Sequence, residues 1–365
     1  VYHELIEETR ARLAEGAKLS VEGRVMRWIF FNVFTRPTRL KWALLPVRVM
    51  QKVGIYGVLR KTGLFKLLPI QLRKMEQMLP AGGAVWPKVL RIMGVSPMFS
   101  SLMKKEHGRD AHDTVGFFAG CIGSVMFEPV NRMAVELLGA AGAEVVVPRA
   151  QVCCGAIHHH NGAHRPAEEM ARRNIDAFLP KEGRGVDFIA TNIAGCGAML
   201  REYDLLLRDD PAYADRAREF SSRVRDISEV LVQLGLPEMR HSVEETVTYH
   251  DACHLAHAQK VTAPPRELLA MIPELKIVPL AESDMCCGAA GTYNLTQPEM
   301  ATQLAERKLG NIAATGAPVC VTGNAGCALH IQSEAAARKQ RLRVVHPVEL
   351  LHRAVFGGKG TGRAM

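Results

Sequence analysis

Aromatic residues make up only 6% of this 365-residue chain, and no segment stays apolar for long enough to cross a bilayer. The longest stretch without Asp, Glu, Lys or Arg, Leu309 to Ser333, holds four glycines, Pro318, Asn311 and Asn324, which excludes a membrane span there. No Gly-x-Gly-x-x-Gly runs from a strand into a helix and no phosphate-binding loop occurs, so no flavin or nicotinamide site of its own is visible. No Cys-x-x-Cys pair occurs either, which weighs against a zinc site built from paired knuckles. The start, Val1-Tyr2-His3-Glu4, has neither a secretory pattern nor an initiator Met, and a processed or truncated chain is expected.

One stretch lacks acid altogether. Between Arg24 and Lys74 there are 12 Lys or Arg and no Asp or Glu, against a whole-chain net charge of +9, so the remainder is slightly acidic. Trp28, Phe30, Phe31, Phe34 and Trp42 lie in the same stretch. Two readings stand side by side: short helices packing on the protein with their cationic heads in water, or a docking surface for acidic lipid headgroups or an acidic subunit. No helix-turn-helix, zinc-finger or RNA-binding signature accompanies the charge, so no nucleic-acid partner is expected.

Against these absences stand nine cysteines. With no export signal, metal binding or catalysis is favoured over disulfides. Cys-Cys-Gly occurs twice, at Cys153-Cys154-Gly155 and Cys286-Cys287-Gly288. Cys121 and Cys196 flank the first copy as Cys253 and Cys327 flank the second, at offsets of 132, 133 and 131 residues. Four thiols therefore recur in one order at nearly one spacing.

The intervening pattern repeats as well. Thr114–Phe118 and Thr246–Tyr249 predict strands leading to Cys121 and Cys253. Glu144–Pro148, expected to be buried, and Leu275–Pro279 predict strands before each Cys-Cys-Gly. Helices over 166–179 and 298–309 precede strands at Val186–Thr191 and Pro318–Thr322, followed by loops carrying Cys196 and Cys327. After Cys196 a helix is expected over Ala198–Leu207. The expected fold class is α/β, with two pseudo-symmetric parallel-sheet lobes preceded by a mainly helical region. The units are 1–110, a helical basic linker or docking region broken at Gly82-Gly83; 111–240 and 241–356, the two lobes; and 357–365, a disordered tail.

Each repeated cysteine follows a strand, at the end where open α/β sheets collect ligands. Gly155 and Gly288 beside them allow close backbone approach and N–H donation to a negative group. An iron–sulfur cluster fits this donor set; a four-thiolate zinc site and inert buried cysteines remain open. Cys320, aligned with Ile189 in an apolar strand, is expected in the core. His158, His159, His160 and His164 follow the first Cys-Cys-Gly, and His158 and His159 are expected in solvent-exposed loop positions. His250, Asp251, His254, His257 and Lys260 surround Cys253, and a helix there would place His257 and Lys260 one and two turns along, facing a cluster or an acidic partner.

Phe118-Ala119-Gly120-Cys121, Val152-Cys153-Cys154-Gly155-Ala156, Ala194-Gly195-Cys196-Gly197, His250-Asp251-Ala252-Cys253, Cys286-Cys287-Gly288-Ala289-Ala290-Gly291 and Asn324-Ala325-Gly326-Cys327 together resemble the iron–sulfur subunits of bacterial glycolate oxidase. These belong to a wider group with lactate-utilisation proteins and the catalytic subunit of heterodisulfide reductase. The resemblance implies [4Fe-4S] clusters held by Cys121, Cys153, Cys154 and Cys196, and by Cys253, Cys286, Cys287 and Cys327, with Gly155, Gly288, His257 and Lys260 in the cluster surroundings. It implies an electron-transfer subunit of a flavin-dependent glycolate oxidase, taking electrons from FAD-binding partner subunits towards a quinone. The expected location is cytoplasmic, with peripheral contact of 24–74 at the inner membrane. The family's N-terminal ferredoxin-like segment, with its two C-x2-C-x2-C-x3-C-P runs, is absent from this sequence. Ile193 and Asn324 stand where heterodisulfide reductase has a fifth cysteine, which argues against disulfide cleavage; a thiol/disulfide or lactate-utilisation oxidoreductase subunit is the alternative.

Overall fold

The computed structural model describes residues 9–10, 12, 20–79, 113–182 and 185–358. The expected break at Gly82-Gly83 and the tail beyond 358 lie outside the described residues.

Two four-stranded parallel sheets repeat one topology. β1 (Thr114–Phe117), β2 (Glu144–Val146), β3 (Phe188–Thr191) and β4 (Val224–Asp226) lie in the order β2-β1-β3-β4. β5 (Thr246–Tyr249), β6 (Lys276–Val278), β7 (Val319–Val321) and β8 (Arg343–Val345) lie in the order β6-β5-β7-β8. The register repeats too: Val115 pairs with Val145 and Phe188, and Val247 with Ile277 and Val319. The inner strands are apolar on both faces, with Val115, Phe117, Ile189, Val247, Tyr249, Val319 and Val321 buried or nearly so, as a sheet covered on both sides requires. Cys320 of β7 is fully buried in this core, and burial pushes its thiol up to about 12. One apolar core crosses between lobes, joining Leu137 and Leu138 to Leu350 and Leu351.

Several local expectations change. Glu144–Pro148 is not a buried strand: β2 is three residues long, sits at a sheet edge and buries only Val145. The helix expected at Ala198–Leu207 starts four residues earlier, as Ala194–Arg201, and a separate turn of helix covers Tyr203–Leu206. Cys253 is followed by a π-helical turn, His254–Ala258, and Lys260 lies past its end in a left-handed conformation (φ 59°).

The N-terminal helices Val21–Ile29, Pro37–Lys52, Ile55–Lys61 and Ile70–Gln77 rest on both lobes. Met26 and Phe30 pack with Leu295 of the second lobe, while Phe31 stacks on His158 of the first at 4.3 Å between ring centres. Lys74 pairs with buried Glu334 at 2.5 Å, and Arg48 donates to the Val125 carbonyl at 3.2 Å. The outer side leaves Trp28, Trp42, Val53, Val58 and Leu67 in solvent among the basic side chains.

Each lobe ends in a strand that runs into a capped helix. Asp226 accepts the Ser228 N–H at 2.9 Å while Glu229 accepts the Asp226 N–H. In the second lobe His346 takes the capping role: Nδ1 accepts the Val348 N–H at 3.1 Å, and Nε2–H donates to the Asn192 carbonyl of the first lobe at 2.7 Å. Both ring nitrogens are thus committed in the neutral form, and burial holds the imidazole down to about 4. An unfolded histidine titrates near ~6.5. Between these values the unfolded chain takes up a proton that the folded chain refuses, so stability is full above pH ~6.5 and falls as pH drops towards 4. The expected loss from this residue between pH 7 and pH 5 is about 2 kcal/mol; urea unfolding of His346→Gln should show that part of the pH slope removed.

Candidate metal centres

The chain order places a switch point between β1 and β3 in one sheet and between β5 and β7 in the other, because the chain turns to opposite sides after its first strand. Crevices at strand carboxyl ends beside such points are where open α/β sheets bind ligands. Cys121 follows β1, Cys153 and Cys154 follow β2, and Cys196 follows β3; Cys253, Cys286, Cys287 and Cys327 take the same places after β5, β6 and β7. Cys196 and Cys327 are not in loops: each is the third residue of a helix, Ala194–Arg201 or Ala325–Ala337.

All nine cysteines are free thiols. In the first lobe the Sγ atoms of Cys121 and Cys153 lie 3.4 Å apart, and hydrogen bonds link Cys153 to Cys154 and Cys154 to Cys196. In the second, Cys253 meets Cys286, Cys286 meets Cys287 and Cys287 meets Cys327. Within each quartet the neighbouring thiols hold some members down, Cys154 in the first and Cys286 and Cys327 in the second, and push others up. Cys154 is held well below the ordinary thiol value by its bonds to Cys153 and Cys196, while Cys153 and Cys196 are raised by the same contacts and by burial. Cys327 is held down first by its bond to Cys287, against the effect of burial. Four thiolates cannot coexist in such a site without a cation. The donor set therefore suits a soft, multiply charged metal group, and its inner surface offers N–H donors to sulfur: Gly288 N to Cys286 Sγ at 3.4 Å, and Asn324 Nδ2 to Cys327 Sγ at 3.2 Å.

The surroundings differ between lobes. Around the first quartet Asn174 donates to the Cys153 carbonyl at 3.1 Å and to the Tyr203 hydroxyl, which donates to the Cys154 carbonyl at 2.8 Å. Around the second, Lys308, whose side chain reaches the Glu282 and Ser283 carbonyls, and His250 hold the loop that leads to Cys286. Asn324, read from sequence only as a missing cysteine, joins the lobes as well, since its Oδ1 accepts the Gly195 N–H at 3.2 Å. Ile193 at the matching place is an apolar, buried side chain. His160 and His254 face each other at 6.4 Å between ring centres, and His254 Nδ1 lies 3.6 Å from Cys253 Sγ. An imidazole pair thus stands between the two quartets.

The remaining candidates fall at different distances from the sulfurs. Gly155 and Gly288 adopt left-handed backbone (φ 92° and 94°) directly beside the thiols. His257 is exposed and its Nε2 meets the Asp284 carbonyl at 3.1 Å, on the loop before Cys286; Lys260 is exposed. His158 is buried beneath Phe31 rather than in solvent, and burial lowers it to about 4. Its cue lay in the aromatic stretch 28–34, whose partner only the fold reveals.

Two sheets that each gather four thiols at a switch point define a duplicated cysteine-rich-domain protein. The chain matches the family described as Cysteine-rich domain over residues 115–201 and 247–332, and residues 22–79 match the linker region of the glycolate oxidase iron-sulfur subunit. It is 36% identical to the probable glycolate oxidase iron-sulfur subunit of Bacillus subtilis over 96% of its own length and 77% of that protein's. The glycolate oxidase iron-sulfur subunit of Escherichia coli is 31% identical, over 65% of this chain and 56% of that one. Lactate utilization protein A of Shouchella clausii is 30% identical, over 65% and 98%. A crystal structure of a hypothetical protein from Helicobacter pylori shares the fold at a TM-score of 0.52 with 10% identity, covering 97% of this chain and 78% of its own. The chain belongs to the family of glycolate oxidase iron–sulfur subunits.

The glycine of the second Cys-Cys-Gly is required by space as well as by backbone sign. A Cβ on Gly288 would stand 2.5 Å from the Ala301 carbonyl oxygen, whereas one on Gly142, equally left-handed at φ 93°, would meet nothing within 4 Å. Gly142→Ala should therefore cost about 1–2 kcal/mol, the ordinary left-handed strain, and Gly288→Ala about 3 kcal/mol or more. Chemical denaturation of the two variants checks the order; equal costs would show that the Ala301 helix yields.

Proposed function

We propose that this chain is an iron–sulfur electron-transfer subunit of a flavin-dependent 2-hydroxy-acid oxidase, with glycolate as the acid. In the proposed assembly FAD sits on partner subunits, the electrons pass towards a quinone, and each lobe holds one [4Fe-4S] group through its four thiols. The observation that carries this reading is the convergence of two thiol quartets at two switch points in a chain of this family.

A cluster, when bound, supplies a one-electron carrier whose potential answers to nearby charge, hydrogen bonds to sulfur and solvent access. The chain's own residues set those three factors. Cys153, Cys154, Cys287 and Cys327 are buried, which excludes water from the inner side of each site. Gly288 N–H and Asn324 Nδ2–H point at sulfur and favour the charged form. Cys253 and Cys286 are only partly covered, leaving the second site the more open of the two on its outer side.

Asn324 and Ile193 at the fifth-ligand positions support electron relay over disulfide cleavage, since neither side chain offers a thiolate. Relatives named for lactate utilisation favour lactate as a second substrate reading; the acid would be chosen by the flavin partner. The basic, apolar outer side of the N-terminal helices supports docking within the assembly, and no described helix is long and apolar enough to cross a membrane. We keep 1–110 as a docking unit and 111–240 and 241–356 as the two cluster-bearing units.

Anaerobic purification with iron, sulfide and zinc counts tests the central reading. Iron and sulfide in near-equal amounts are expected, halved or worse by Cys153→Ser or Cys287→Ser and unchanged by Cys320→Ser. Zinc without iron would remove the reading. For docking, Lys52→Glu, Lys61→Glu and Lys66→Glu together, all exposed, should leave iron content intact and abolish co-purification with the flavin subunits. Retained subunits with lost sedimentation on anionic vesicles would move the role of this surface to the membrane.

A further inference from the structure

The offsets that relate the two sets of cysteines also relate the residues behind them, and there the lobes part company. Three residues before Cys121 stands Phe118, and three before Cys253 stands His250. Three after Cys196 stands Met199, and three after Cys327 stands His330. Twenty-one after Cys154 stands Ile175, and twenty-one after Cys287 stands Lys308. All six are buried. The first quartet is thus backed by a phenyl ring, a thioether and an aliphatic chain, and the second by two imidazoles and an amine.

Of these three nitrogen groups, two are occupied elsewhere. Lys308 Nζ is held by the Glu282 and Ser283 carbonyls, and His330 Nε2 faces the Ala301 carbonyl at 3.4 Å. His250 differs. Its ring is fully buried, and Nδ1 lies 2.9 Å from the Ser283 carbonyl. A carbonyl only accepts, so Nδ1 carries the proton, and in the neutral ring the lone pair is left on Nε2. That Nε2 is buried and, among the described residues, has no nitrogen or oxygen partner in hydrogen-bond range. A ring nitrogen of His250 and the Sγ atoms of Cys287 and Cys327 all lie within 4.8 Å of one another, and with Nδ1 held on the Ser283 carbonyl it is Nε2 that is left to serve those sulfurs. An unpartnered buried imidazole nitrogen is costly, and one whose other nitrogen is anchored on a backbone carbonyl has the arrangement of a metal-ligating histidine.

We propose that His250 Nε2 is a ligand of the second lobe's metal group, beside Cys253, Cys286, Cys287 and Cys327, so that the two sites are chemically inequivalent. The proposal rests on the iron–sulfur reading above. At the matching position of the first site Phe118 offers no lone pair. The second adds a neutral nitrogen donor, and imidazole ligation in place of sulfur-only ligation moves a cluster's potential. Two inequivalent carriers in one subunit give electron flow a direction that two identical ones would lack.

The test uses the full-length chain, purified anaerobically with iron bound, labelled with 15N-histidine in an otherwise 14N protein, and reduced for pulsed EPR. A histidine nitrogen coupling of the size found for a directly bonded nitrogen is expected in the native protein. It should vanish in His250→Phe, which copies the first lobe, and survive in His330→Met, which does the same at a position that does not ligate. Redox titration should show one midpoint potential shifted in His250→Phe and the other unchanged. Iron bound without a directly bonded histidine nitrogen in the native protein would overturn the proposal while leaving the cluster reading intact. A coupling that persists in His250→Phe would overturn it too. Absence of iron would overturn both. The native protein decides the question even if His250→Phe does not fold.

Discussion

Four thiols packed within reach of one another in a buried crevice cannot all carry charge unaided, and the rest of this structure is arranged around that constraint. The first quartet holds Cys154 down and the second Cys286 and Cys327, in each case at the expense of their neighbours, so the site as built suits positive charge. The sheet supplies the crevice, the helix starts supply backbone donors, and the left-handed glycines let the chain turn sharply between paired cysteines and the helix behind them. None of these parts would converge without the reversal of strand order that opens the switch point.

Duplication gives the molecule two such sites and one shared core. The lobes meet through the very segments that hold the thiols: the Ala194 N–H donates to the Gly323 carbonyl at 3.1 Å, and Gln259 Nε2 donates to the Ala194 carbonyl at 2.9 Å. Gln259 also fills the space a side chain at Gly197 would need. Hydrogen bonds and the His160–His254 pair thus link the segments that carry the two sites. The N-terminal helices add a third element, anchored on both lobes by Phe30, Phe31 and Lys74, so the basic surface is held in a fixed relation to the thiols.

Much of the scaffold could be read from the chain alone. Strand period, proline at helix starts and the doubled cysteine order are local or periodic signals, and they located the first three strands of each sheet to within a residue or two. The misreadings were of one kind. The Glu144–Val146 strand looked buried because Val145, Val146 and Val147 are apolar, but edge position is a matter of sheet order, not of residue type. Cys196 and Cys327 were expected in loops after their strands, yet each lies in the first turn of a helix that starts directly beyond the strand end. His158 looked like loop surface because its cover, Phe31, lies far away in sequence.

By itself the sequence determined that eight thiols fall into two equal sets at strand ends, because spacing and periodicity are properties of the chain. It also determined that the fifth-ligand positions hold Ile193 and Asn324. Only the tertiary structure decided what those positions do. Asn324 became a donor to Cys327 and a tie to Gly195, and His250, one of several histidines near Cys253, came to stand beside Cys287 and Cys327. The physical reason is that direction and burial are set by which elements pack together, and a side chain's partner can lie a hundred residues away.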